Sequence, residues 1–83
     1  MAIYDGTYMG GSLNGDDFSG DTLSGKFTGI NFRGRKLRKA TLSGTFLRCD
    51  FTEADLTGAD FPAQKRAGNK FTRAIMPDGK RHD

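Results

Sequence analysis

Apolar residues recur along this chain at a spacing that suits neither a helix nor a strand. From Tyr4 they fall at Tyr8, Leu13, Phe18, Leu23, Phe27, Phe32, Leu37, Leu42, Phe46, Phe51, Leu56 and Phe61, with polar or small residues between. Most steps are five residues. Three steps are four, in YDGTY, LSGKF and LSGTF, and these begin at Tyr4, Leu23 and Leu42, 19 residues apart. On a helix of 3.6 residues per turn, a step of five would scatter apolar side chains around every face. On a flat strand, like-facing residues lie two apart. A chain that turns a corner every five residues does fit. Four short sides then close one coil, and coils stack about 4.8 Å apart through backbone hydrogen bonds.

The same arithmetic predicts a core of four columns. One stacks Tyr4, Leu23, Leu42 and Phe61, and the next Tyr8, Phe27 and Phe46. The third stacks Leu13, Phe32, Phe51 and Phe71, and the fourth Phe18, Leu37, Leu56 and Met76. Burying each such side chain contributes roughly 1.5–3 kcal/mol, but one coil alone cannot close the core. Small residues support the geometry. Gly6, Gly25 and Gly44 share the tight corner, where a positive φ is expected. Ala40, Cys49, Ala54, Ala59 and Ala74 each sit two places before a core residue, where an inward position beside a corner admits only a small side chain. Cys49 reads as a small buried hydrophobe, not a reactive thiol.

CDFTE, ADLTG and ADF, residues 49–61, resemble the pentapeptide-repeat family, whose consensus is A-(D/N)-L-x-x with a central Leu or Phe. The resemblance covers about residues 4–79, is strongest in the middle, and is closest to small members common in cyanobacteria. It implies an all-β fold, a right-handed quadrilateral β-helix of about four coils with a 19-residue period. Asp16, Asp21, Ile30 and Arg35 depart from the pattern, standing where the family prefers Ala, so wider corners are expected in the first half.

The chain has 83 residues, so a single domain is expected. Its repeat coils cover about 4–61. FPAQKRAGNKF then interrupts the spacing, predicting a loop or short helical turn over 62–70, with Lys65 or Arg66 where a core residue belongs. A coil and cap follow over 71–79, MPDG reads as a terminating turn, and KRHD, 80–83, reads as a mobile tail. Only Met1 to Ile3 precede the first coil, so its outer face is a candidate contact surface.

Composition narrows function. Cys49 is the single cysteine, which excludes an internal disulfide and fits a reducing compartment. MAIYDGTYMGG has neither the basic region nor the long apolar run of a secretory signal, and no segment approaches the roughly 20 apolar residues of a membrane span. A soluble cytoplasmic protein is expected, with no membrane insertion. The Gly/Asp-rich GGSLNGDDFSGDTL lacks the tandem copies of a calcium roll, and His82 has no companion ligand, so neither a metal nor a cofactor is expected. No nucleophile–base arrangement, phosphate loop or paired carboxylates stand out, and an enzyme is not expected.

Charge is patterned. Residues 1–22 carry four acids and no base, and 23–41 carry six bases and no acid. Residues 42–60 carry four acids and one base, and 61–83 carry six bases and two acids, giving +3 overall. RGRKLRK alone suggests a phosphate-binding patch. Stacking offers a plainer account: Lys36 between Asp17 and Asp55, Arg35 by Asp16, Asp50 by Lys70 and Glu53 by Arg73. Opposite charges on neighbouring strands contribute roughly 0.2–1 kcal/mol each and penalise a slipped register.

The function expected is a non-enzymatic structural or protein-binding scaffold, an accessory or assembly component that acts through flat faces or ends. Its expected partner is an unidentified protein, with self-association through the coil ends as a further expectation. The candidate interaction surface is Arg33, Arg35, Lys36, Arg38, Lys39, Lys65 and Arg66. Two alternatives remain. The resemblance implies a DNA-mimicking protein that binds the topoisomerase gyrase, although that role needs an acidic surface. The basic 33–39 run allows direct nucleic-acid binding.

Overall fold

A computed structural model describes all of residues 1–83. Its extended structure is confined to five strands: β1 (Ile3–Tyr4), β2 (Thr7–Met9), β3 (Thr22–Leu23), β4 (Lys26–Thr28) and β5 (Thr45–Leu47). They form two small parallel sheets, β1–β3 and β2–β4–β5. A single 3-10 turn, Ala63–Lys65, lies within the interruption foreseen over 62–70.

The register keeps the arithmetic of the sequence. Tyr4 pairs with Leu23, Tyr8 with Phe27 and Phe27 with Phe46, each 19 residues on. Isolated parallel bridges carry the same offset elsewhere, as at Asp17–Lys36, Asn31–Asp50 and Lys36–Asp55. Past the interruption the offset becomes 20, at Asp50–Lys70 and Asp55–Ile75. We call each such traverse of the chain a pass.

The expected right-handed quadrilateral β-helix is not the fold. A closed four-sided ladder would carry strands on every side and grow as a rod. Here strands occur in only two small sheets, with turns and single bridges elsewhere, and the molecule measures 30 × 25 × 24 Å. The reason is local. A side of five residues leaves two or three extended before the chain must bend. The bends fall at left-handed residues, among them Gly15, Gly34, Glu53 and Arg73 at equivalent places in successive passes, with φ of 88°, 66°, 59° and 56°. Such conformations interrupt a strand and are costly for any residue but Gly.

Many of these bends share a second device. Asp17, Asn31, Asp50, Asp55 and Asp78 each accept, through the side-chain oxygen, the N–H two residues on. In the first four, an Asp or Asn immediately before a core residue thus fixes the corner that follows.

The core is one cluster and follows the predicted columns. Leu23, Phe27, Phe32, Leu37, Leu42, Phe46, Phe51, Leu56 and Phe61 are buried, and Tyr4, Tyr8, Leu13 and Met76 pack on them half-buried. Aromatic columns stack face to face: Tyr8 on Phe27, Phe27 on Phe46 and Phe32 on Phe51, all with centroids 4.9 Å apart. That spacing matches the distance between paired strands. Ala40, Cys49, Ala54, Ala59 and Ala74 fill the inward places beside the corners.

Two expectations change in detail. Gly6, Gly25 and Gly44 do not have positive φ. Gly25 and Gly44 are required by close approach: a Cβ on Gly25 would strike the carbonyl oxygen of Gly6, and one on Gly44 the carbonyl oxygen of Gly25. The final residues are not free. Ile75 and Arg81 form an antiparallel bridge, and His82 donates its backbone N–H to the Ala74 carbonyl at 2.7 Å.

Candidate interaction surface

The interior is filled by apolar side chains, so the chemistry the molecule offers lies on its sides and at its two ends. The basic run spans the two neighbouring sides built on Phe32 and Leu37, with a left-handed bend at Gly34 between them. Arg33 reaches Asp50 of the next pass at 3.4 Å, and Arg38 reaches Asp55 at 3.1 Å. Arg35 is half-buried and donates through Nη1 to the Arg33 carbonyl at 3.1 Å. Its Nε is buried without a partner, because Arg35 stands in the column of Ala54 and Ala74, where only a small side chain fits. Lys36 lies between Asp17 and Asp55 in register, as expected, but the ion pair with Asp55 is made by Arg38. Lys39 is left-handed, with φ 58°.

The remaining two cations lie elsewhere. Lys65 donates its ammonium to the Gly44 carbonyl at 3.3 Å. Arg66 donates Nε to the Phe61 carbonyl at 2.8 Å, and its guanidinium sits over the Phe61 ring. The seven basic residues therefore do not converge. Arg33 is engaged on the Phe32 side and Arg35 and Arg38 on the Leu37 side, whereas Lys65 is engaged at Gly44 and Arg66 at Phe61.

The acids show why those pairs hold. Burial alone would raise the Asp50 carboxyl, but Thr52 donates to it from both its hydroxyl and its backbone, and Arg33 and Lys70 add positive charge. The outcome lies below the ordinary carboxylate value. Asp55 behaves alike, with Thr57 and Arg38 as the donors. Glu53 meets Arg73 at 3.6 Å, as the register predicts. Arg35 and Asp16 do not pair through side chains; Asp16 instead accepts the Lys36 N–H at its carbonyl, 2.9 Å away. Exposed pairs of this kind contribute about 0.2–1 kcal/mol each, so their main effect is on register.

The two ends differ. Beside β5, Asn69 replaces a missing strand: its Oδ1 accepts the Cys49 N–H at 2.9 Å, and its Nδ2 donates to the Phe46 carbonyl at 2.9 Å. With Lys65 on Gly44, it takes up two carbonyls along the outer edge of β5. The bridge of Arg81 to Ile75 closes the rest of that end, and Arg81 also donates to the Arg73 carbonyl at 2.9 Å. An open hollow of about 520 Å³ lies there, lined by Arg66, Lys80, Arg81 and His82 with Asp78.

At the opposite end, β1 and β2 are sheet edges with nothing laid across them. Ile3 is 69% exposed and Met9 75%, and Met1 is exposed as well. Asp21 holds the start of the chain by accepting the Ala2 N–H at 2.9 Å. No reading of the sequence singled out Asn69. Its signal was a lone Asn in the inward column of Cys49, near the end of the ten-residue step from Phe61 to Phe71.

Cys49 is buried, and burial pushes its thiol up, against nucleophilic use. No three His, Cys, Asp or Glu side chains come together as a metal site. No helix is long and apolar enough to cross a membrane. No family model, curated protein or solved structure matches the chain.

Proposed function

We propose that the protein is a non-enzymatic binding or structural module, an accessory or assembly component that contacts another protein through its sides or ends. The observation that carries this reading is the N-terminal end, where two strand edges are open and Met1, Ile3 and Met9 are exposed. Open strand edges are templates for pairing with another chain and are natural contact surfaces. The likeness of CDFTE and ADLTG to the pentapeptide consensus supports the same reading, and membership of that family is proposed on this ground. A single buried thiol supports placing the protein in the cytoplasm.

The ion pairs of Arg33 and Arg38 support treating the basic run as part of the register rather than as a phosphate site. Capture from native lysate with tagged protein, with and without nuclease, tests the proposal. Recovery of one defined protein in both conditions is expected. Recovery that disappears with nuclease would overturn it and give the 33–39 run a nucleic-acid role. A topoisomerase among the retained proteins would favour DNA mimicry.

A further inference from the structure

We propose that the N-terminal edge receives a basic segment of another protein, which follows β1, the Asp5–Gly6 corner and β2 as the next pass does. This rests on the binding-module reading and names its surface and its partner's chemistry.

The first argument comes from Gly6. Its equivalents Gly25 and Gly44 must lack a side chain because a Cβ would strike the carbonyl oxygen of the preceding pass. No strand lies across Gly6 on its outer side in this structure. A Cβ there would meet only the Tyr8 ring, at an ordinary 3.5 Å, and its φ is not left-handed. Nothing within the folded chain requires a glycine at this position. A strand laid across the edge at the same spacing would bring its own carbonyl to the place that Gly6 occupies relative to Gly25. The glycine is then required only when the edge is occupied.

The edge itself suits this use. In a parallel ladder, residues alternate in which neighbour they bond, so alternate peptide groups of β1 and β2 point away from β3 and β4. Neither strand carries a Lys or a Pro, two residues that commonly guard an edge. The Tyr8 ring stacks on Phe27 through one face and is only half-buried. Backbone pairing would supply affinity, and an apolar side chain over Tyr8 would supply specificity.

Charge selects the occupant. Asp5, Asp16, Asp17 and Asp21 lie in the first pass, with no base among residues 1–22. A second copy joined edge to edge would set these acids against their equivalents. A second copy joined through its other end would meet a β5 edge whose Gly44 and Phe46 carbonyls are already taken by Lys65 and Asn69, and the Arg81 bridge beside it. A basic extended segment meets both the hydrogen-bonding and the charge demand.

The test is an NMR titration of the full chain with a short acetylated and amidated peptide that alternates Lys with Thr around a central Phe. Saturable shifts confined to residues 3–9 and their β3–β4 neighbours are expected. Gly6→Ala should lose this binding without lowering the melting temperature. Asp5→Asn with Asp16→Asn, both exposed, should weaken it about five-fold, and added salt should do the same. A peptide N-methylated at alternate positions should not bind. Unchanged affinity for Gly6→Ala or for the N-methylated peptide would overturn strand addition. Absence of binding, or shifts elsewhere, would overturn the site. Shifts at residues 3–9 that depend on protein concentration alone would make a second copy the occupant and overturn the basic segment. If a nuclease-resistant partner is captured equally by Gly6→Ala, the edge inference falls and the module reading stands. If no partner is captured, the module reading falls.

Discussion

The two ends of the molecule solve one problem in opposite ways. Stacked passes leave unpaired peptide groups and a bare core at each end. At the C-terminal end the chain departs from its spacing, and Asn69, Lys65 and the returning Arg81 segment take up the edge of β5 and the last pass. At the N-terminal end the chain keeps its spacing from Tyr4 onward, and β1 and β2 remain open. Closure thus costs regularity: ten residues separate Phe61 from Phe71, against the usual five. The regular end is the one left able to accept more chain.

Alanine at the three equivalent glycines should break this contrast most forcefully. Gly25→Ala and Gly44→Ala should each lose about 3 kcal/mol or fail to fold, since backbone, not a flexible side chain, occupies the space. Gly6→Ala should be neutral or gain about 0.4–1 kcal/mol, through a less flexible unfolded chain. Denaturant melts of the three variants decide it. Equal losses at all three would show that Gly6 is already confined within the free chain.

Asn69→Ala should come next. It strands the Cys49 N–H and leaves the Phe46 carbonyl unpaired, for a loss of about 2 kcal/mol. Hydrogen exchange should accelerate at residues 45–49 and stay unchanged at residues 3–9. Uniform acceleration would mean that the two ends do not behave independently.

Acid should have the smallest effect. Asp50 and Asp55 lie below the ordinary value of 3.8 in the folded chain. A carboxyl lowered on folding contributes stability that is complete above its unfolded pKa and is lost as pH falls through the folded one. The melting temperature should therefore decline below about pH 4. Asp50→Asn and Asp55→Asn should each flatten that decline, and a parent curve without it would remove the contribution of these pairs to the C-terminal side.

The sequence displays its offset because every pass must supply the same four apolar places, and Phe27, Phe46 and Phe51 stand where counting puts them. The breadth of the sheets was not legible. Five-residue sides suggest a closed ladder, yet they leave only two or three residues extended, and bends at residues such as Glu53 and Arg73 end each strand. Gly25 was singled out for the right position and the wrong cause, since backbone approach and positive φ both select Gly. Among the charges, register placed Lys36 beside Asp55 correctly. The longer Arg38 took the pair, because side-chain reach is not written in spacing. The corners had a readable sign in Asp17, Asn31, Asp50 and Asp55, each just before a core residue.

The constant offset also governs how fast such a molecule can form. Almost every strand contact joins residues 19 or 20 apart, more than a fifth of the chain. Contacts of that separation belong to the slow range for small domains. Yet each closure encloses a loop of nearly the same length, so the entropy lost is nearly the same each time. The first two passes must meet without a template, and the later ones add to an edge already in place. Refolding should then show one slow nucleating step followed by rapid growth.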